Sequence, residues 1–183
     1  YYIGLELRAL GINMNFAPTI DIYSTLESTV IGPRSFGENP EYTGILGAAW
    51  AKGHADAGII ATAKHFPGHG DTDVDSHGAL PSIDIDEETL FSRELVPFVS
   101  LIESGVPAIM TGHISFPRIV PNGEPASLSK SFVTGILREK LGYEGLVITD
   151  DIMMQGAWQY AGVVSNVVRL AIEAGNDIVI SSS

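Results

Sequence analysis

The stretch Gly58-Ile59-Ile60-Ala61-Thr62-Ala63-Lys64-His65 is an apolar run that ends abruptly in two basic side chains. It continues as Phe66-Pro67-Gly68-His69-Gly70-Asp71-Thr72-Asp73-Val74-Asp75-Ser76-His77-Gly78. A continuous apolar run of this length, without polar alternation, reads as a strand buried on both faces, and the glycines and proline that follow read as a loop. The loop and the strand end hold three of the five histidines (His65, His69, His77) and three aspartates (Asp71, Asp73, Asp75). That density of titratable groups exceeds what packing requires, so the loop is the candidate active site.

The same pattern recurs along the chain. Tyr1 to Leu10 reads as a helix closed by Gly11, and Ile12 to Ile20 as a strand ending at Asp21. Asn39-Pro40-Glu41 combines a cap, a first-turn proline and an early acid, and opens a helix to about Gly58. Its apolar face is read as Tyr42, Ile45, Leu46, Ala49 and Trp50. A helix from Asp86 to Gly105 is expected to kink at Pro97, and Val106 to His113 is a third strand. Ser129 to Gly142 is a helix, Gly145 to Thr149 a strand, Gly156 to Ala174 a helix capped by Gly175, and Asp177 to Ile180 a fifth strand.

Helices that alternate with short apolar strands imply a parallel α/β sheet, either an open doubly wound sheet or a (β/α)8 barrel. No Gly-x-Gly-x-x-Gly follows a strand, so a dinucleotide site has no support. Four of the five strands end in polar or titratable residues: Asp21, Lys64 with His65, His113, and Asp150 with Asp151. Chemistry gathered at strand C-termini is the habit of the (β/α)8 TIM-barrel type. Five strand–helix units do not close eight strands. Tyr1 stands inside a helical pattern, and Ser181-Ser182-Ser183 follow an apolar run. The expectation is therefore one catalytic-domain segment over 1–183, with the first and last parts of the barrel outside it.

Composition narrows the partners. The net charge of −12 disfavours a nucleic acid or an anionic membrane surface, both of which are held by basic patches, and leaves a neutral ligand such as a sugar open. There is no membrane-length apolar run. The absence of cysteine removes disulfides, thiolate catalysis and cysteine-bound metal, and leaves the compartment open.

Individual residues carry competing readings. Asp75 and His77 form an Asp-x-His pair in which the carboxylate can orient the imidazole for proton transfer; a turn aspartate beside a loop histidine is the plain alternative. Asp150 emerges from Leu146-Val147-Ile148-Thr149, where a carboxylate must be paired or used, which suits a nucleophile; Asp151 is the better helix cap. Lys64 and His65 alternate across their strand, so both face one pocket only if the strand end twists or bulges. Lys64 and Arg34 are donors for a ligand, with structural ion pairs as the alternative. His54 and Asp56 are read as solvent-facing, and His69 and His113 as supporting residues. Asp71-x-Asp73-x-Asp75 imitates a calcium loop but has Ser76 at the sixth position and Ser82 at the twelfth. Zinc on His65, His69 and His77 lacks a helical His-x-x-x-His context. No metal and no cofactor is expected.

Lys64-His65-Phe66-Pro67-Gly68-His69-Gly70, Asp71 to His77, Gly32-Pro33-Arg34-Ser35-Phe36 and Ile148-Thr149-Asp150-Asp151-Ile152-Met153-Met154 together resemble glycoside hydrolase family 3, in its β-N-acetylhexosaminidase branch. The resemblance implies retaining hydrolysis of terminal N-acetylglucosamine, on cell-wall fragments. Asp150 corresponds to the nucleophile, His77 to the acid/base and Asp75 to its partner, with Arg34, Lys64 and His65 as sugar ligands. A histidine there replaces the usual second carboxylate. Another glycosidase of the family, a phosphorolytic relative, a non-catalytic carbohydrate-binding domain and a metal-dependent hydrolase remain as alternatives.

Overall fold

The computed structural model describes residues 1–24, 30–72 and 79–182. Its strands are β1 (Met14–Asn15), β2 (Ile60–Phe66), β3 (Ala108–Thr111), β4 (Leu146–Asp151) and β5 (Ile178–Ile180). They form one sheet in the order β1-β2-β3-β4-β5, each parallel to its neighbour. Consecutive order decides between the two closures. A doubly wound sheet reverses direction at a switch point, whereas a barrel adds each strand beside the last. Five strands added in this way make a curled part-barrel, with all strand C-termini at one rim.

The expected first strand, Ile12 to Ile20, is shortened to β1 because Pro18 has no N–H to give the ladder. Its carbonyls still serve β2: Thr62 N donates to Ala17 O at 2.8 Å and Lys64 N to Pro18 O at 3.1 Å. Ile20 N donates back to Lys64 O at 2.8 Å, which leaves Asp21 level with the end of β2.

The helices are α1 (Tyr2–Ala9), α2 (Pro40–Asp56), the single turn α3 (Glu87–Thr89), α4 (Val96–Glu103), α5 (Gln155–Ala161) and α6 (Val164–Ala174). Asn39 caps α2 by accepting from Tyr42 N at 2.8 Å. The face that α2 buries is not the one read from hydrophobicity. Tyr42, Ile45 and Leu46 are exposed, and Thr43, Gly44, Gly47, Ala51 and His54 are buried. Small residues win because α2 lies hard against the sheet and α4. A Cβ on Gly47 would stand 2.8 Å from Ile20 and 3.0 Å from Leu101. His54 is therefore not solvent-facing; it stacks on Trp50 with centroids 3.5 Å apart and lies 3.2 Å from Asn15 Nδ2. Asp56 is exposed and pairs with Lys52.

The kink expected at Pro97 is a break. A π-turn, Leu90–Glu94, precedes α4, and Leu95 N donates to Leu90 O at 2.9 Å, so Pro97 enters as an early residue of a new helix. A π-helix spans Ser131–Lys140 and buries Phe132, Val133, Ile136 and Leu137. The single helix expected over Gly156 to Ala174 is α5 and α6, divided at Gly162, whose φ of +78° no helix interior accepts. The main core lies between β2–β4 and the helices, around Phe66, Phe98, Leu101, Ile109, Phe116 and Phe132. Among the described residues no helix is long and apolar enough to cross a membrane.

Candidate active site

Asp21 is the hub of the rim. Its side chain is fully buried, and it accepts four hydrogen bonds from the β2 end. His65 N donates to its two oxygens at 3.1 and 3.2 Å, His65 Nδ1 at 2.7 Å, and His69 N at 2.8 Å. Burial alone would raise its pKa; the His65 ring and these N–H donors hold it below the ordinary carboxylate value. The turn closes tightly over it. Gly68 N donates to His65 O at 2.8 Å, and a Cβ on Gly70 would fall 1.5 Å from Ile22 O, so only glycine fits there.

With Nδ1 committed to Asp21, His65 presents Nε2 to Asp150, 3.9 Å from Oδ2. Asp150 ends the buried part of β4 with its side chain 19% exposed, and its Oδ1 accepts from Asp151 N at 2.8 Å. Asp151 O accepts from His113 Nε2 at 3.0 Å, and His113 Nδ1 lies 2.6 Å from Ser127 Oγ. Nε2 must carry the proton to reach a carbonyl, and in the neutral ring Nδ1 then accepts from the Ser127 hydroxyl. Burial lowers the His113 pKa in the same sense, against the pull of the Asp150 carboxylate. Asp151 Oδ1 accepts from Met153 N at 2.9 Å, so it closes the turn after β4 rather than capping α5, which begins beyond Met154.

Lys64 and His65 do share the rim. The register between β2 and β3 shifts between Ala63 and Phe66, which is the bulge that two neighbouring residues need to approach one site. Lys64 lies in the field of Asp150 and Arg34; burial lowers its pKa first, and Asp150 opposes that shift. Lys64 and Arg34 line a cavity of about 350 Å³ with Phe16, Thr19, Phe36 and Trp50. Arg34 Nη2 also donates to Val30 O at 2.7 Å. His69 stands edge-on to His65, ring centroids 5.6 Å apart, and its Nδ1 donates to Thr72 Oγ1 at 2.7 Å while that hydroxyl donates to His69 O. Burial and the neighbouring His65 lower its pKa.

Of the residues expected from sequence, Arg34, Lys64, His65 and Asp150 stand at one rim. Asp75 and His77 lie outside the described residues, as does Asp73. Among the described residues no three His, Asp or Glu side chains are grouped to hold a metal ion. The central place of Asp21 is new: its signal was a carboxylate between Ile20 and Ile22, seen as a strand-end acid but given no role.

The whole chain, residues 1–183, matches the family model described as the glycosyl hydrolase family 3 N-terminal domain. The chain belongs to this family. Its sequence is 42% identical to the beta-hexosaminidase A of Pseudoalteromonas piscicida, over 96% of this chain and 31% of that protein. Among solved structures, the family 3 beta-N-acetylglucosaminidase of Paenibacillus sp. str. FPU-7 superposes with a TM-score of 0.94 at 48% identity, covering 98% of this chain and 34% of that one. A beta-glucoside phosphorylase superposes at 0.90 and 27% identity, covering 98% and 34%. The chain thus spans about a third of the length of these family 3 relatives. The resemblance read from the histidine loop and the strand ends is borne out, and so is the incomplete barrel.

Proposed function

We propose that the protein containing this segment is a retaining glycosidase that removes terminal β-linked N-acetylglucosamine, the sugar of bacterial cell-wall fragments. The observation that carries the reading is the Asp150 carboxylate, partly exposed at the rim and facing His65 Nε2 at 3.9 Å, with Lys64 in the field of both Asp150 and Arg34. The likeness to enzymes named for hexosamine cleavage supports the choice of sugar.

In this mechanism Asp150 attacks the anomeric carbon as the bond to the leaving oxygen breaks, giving a glycosyl ester. His77 gives its proton to the leaving oxygen, then takes one from the water that attacks the anomeric carbon, breaks its bond to Asp150 and frees the carboxylate. Asp75 orients His77 and supports its imidazolium form. Lys64, His65 and Arg34 hold sugar oxygens. The Asp21–His65 pair sets the ring of His65 so that its remaining nitrogen meets the ligand and not bulk water.

The test is a fluorinated glycoside inactivator followed by peptide mass spectrometry of the complete protein. The label should sit on Asp150, and a label on any other carboxylate would sink the mechanism. A chromogenic N-acetylglucosaminide should turn over far faster than the matching glucoside.

A second reading is phosphorolysis, favoured by the beta-glucoside phosphorylase among the similar structures. A histidine acid/base does not repel phosphate as a carboxylate would. Appearance of a sugar 1-phosphate only when phosphate is present would replace hydrolysis with this reading.

A further inference from the structure

The side chain of Glu94, the last residue of the π-turn, is fully buried, yet among the described residues its Oε2 has no hydrogen-bond partner. Its Oε1 accepts from Arg93 Nε at 2.6 Å, and Arg93 Nη2 donates to Asp71 Oδ2 at 2.7 Å. Oε2 lies over the α-carbon of Gly68, so close that a Cβ there would stand 2.6 Å away. The Pro67–Asp71 turn is therefore gripped from two sides. Asp21 and the Ile22 backbone hold one side through the His69 N–H and Gly70; Glu94 and Arg93 hold the other at Gly68 and Asp71. A buried carboxylate with an orphan oxygen is a poor way to fill space, and such groups concentrate where geometry serves function.

We propose that Glu94 and Arg93 are positioning residues for the acid/base step: they fix the turn whose far end, Asp71, leads in sequence to Asp75 and His77. The proposal rests on the glycosidase reading above. The charged groups that bear on Glu94 are Arg93 from its own turn, Asp71 from the gripped turn and Asp21 beyond it. Burial pushes the Glu94 carboxyl up to about 7 against the opposing Arg93.

The test uses the complete protein with Glu94→Ala, Glu94→Gln and Arg93→Met. A nitrophenolate leaves without a proton, whereas a sugar alkoxide needs the acid, whose help is worth roughly a hundredfold or more. Glu94→Ala and Arg93→Met should lower kcat on an unactivated disaccharide by roughly tenfold or more and on a nitrophenyl glycoside by less than about threefold. Glu94→Gln keeps the shape and the Oε1 acceptor. It should restore most of the loss. Equal losses on both substrates with a lower melting temperature would reduce Glu94 to a structural part and overturn the proposal, as would unchanged kinetics. If the unsubstituted protein cleaves neither glycoside, the glycosidase reading fails, and hydrogen exchange decides the positioning. The Gly68 and His69 amides should exchange faster in Glu94→Ala, and unchanged protection overturns it.

Discussion

At the residue scale, Asp21 illustrates how one carboxylate organises a rim. Among the described residues its carboxylate accepts only from N–H groups of His65 and His69, and the side chain is fully buried. Asp21→Ala would leave two backbone N–H groups and a ring nitrogen unpaired in the interior. Loss of a buried partner of this kind costs about 3–5 kcal/mol, to be read from denaturant unfolding. The charge itself has a pH signature. Because the folded pKa lies below the ordinary 3.8, its stabilisation is complete above that value and is lost as pH falls through the folded one. Asp21→Asn has no charge to lose, so its melting temperature should fall less steeply than the parent's below about pH 4. The hub was half legible. A charged residue inside Ile20-Asp21-Ile22 marks a site, but its partners stand 44 and 48 residues away, and no spacing reveals them.

At the scale of elements, α2 shows why hydrophobicity alone misassigns a face. α2 offers its glycines to the interior because its axis lies too near Ile20 and Leu101 for larger groups. Gly47→Val should overpack that contact and cost about 1–3 kcal/mol in unfolding free energy. The π-turn before α4 brings a second outcome. Glu94 titrates near 7 when folded and near 4.5 when unfolded, so the folded state binds the extra proton between those values and stability falls as pH rises across them. Glu94→Gln removes that loss. Its unfolding free energy should match the parent's near pH 5 and exceed it at pH 8, by on the order of 3 kcal/mol at about 1.36 kcal/mol per unit. Nothing in Arg93-Glu94-Leu95 itself marks the glutamate as buried; the packing of the turn against Gly68 does that.

At the scale of the molecule, the part-barrel has two open edges, at β1 and β5, with apolar side chains beside each. Tyr2, Leu10, Phe16, Tyr42, Ile45 and Leu46 are exposed on one side, and Val163, Val168, Ile172 and Ile178 on the other. Unpaired strand edges flanked by apolar surface promote association. A polypeptide of residues 1–183 alone should sediment as more than a monomer, and Val168→Lys with Ile172→Lys should shift it toward the monomer. Monomeric behaviour of the unsubstituted segment at micromolar concentration would contradict this. Four expected site residues, on β2, on β4 and in the Gly32-Pro33-Arg34 turn, meet at one rim because parallel strands added in order put every C-terminus at the same end.

The sequence by itself determined the alternation of helix and buried strand, the end of the sheet where titratable residues gather, and the family, because each is written in short runs of neighbouring residues. Tertiary structure alone decided the consecutive strand order, the inward face of α2, the burial of His54 and Glu94, and the grip of Asp21 on His65 and His69. Those depend on how closely distant backbones approach, and a glycine in a helix or an aspartate in an apolar run does not record which partner it is making room for.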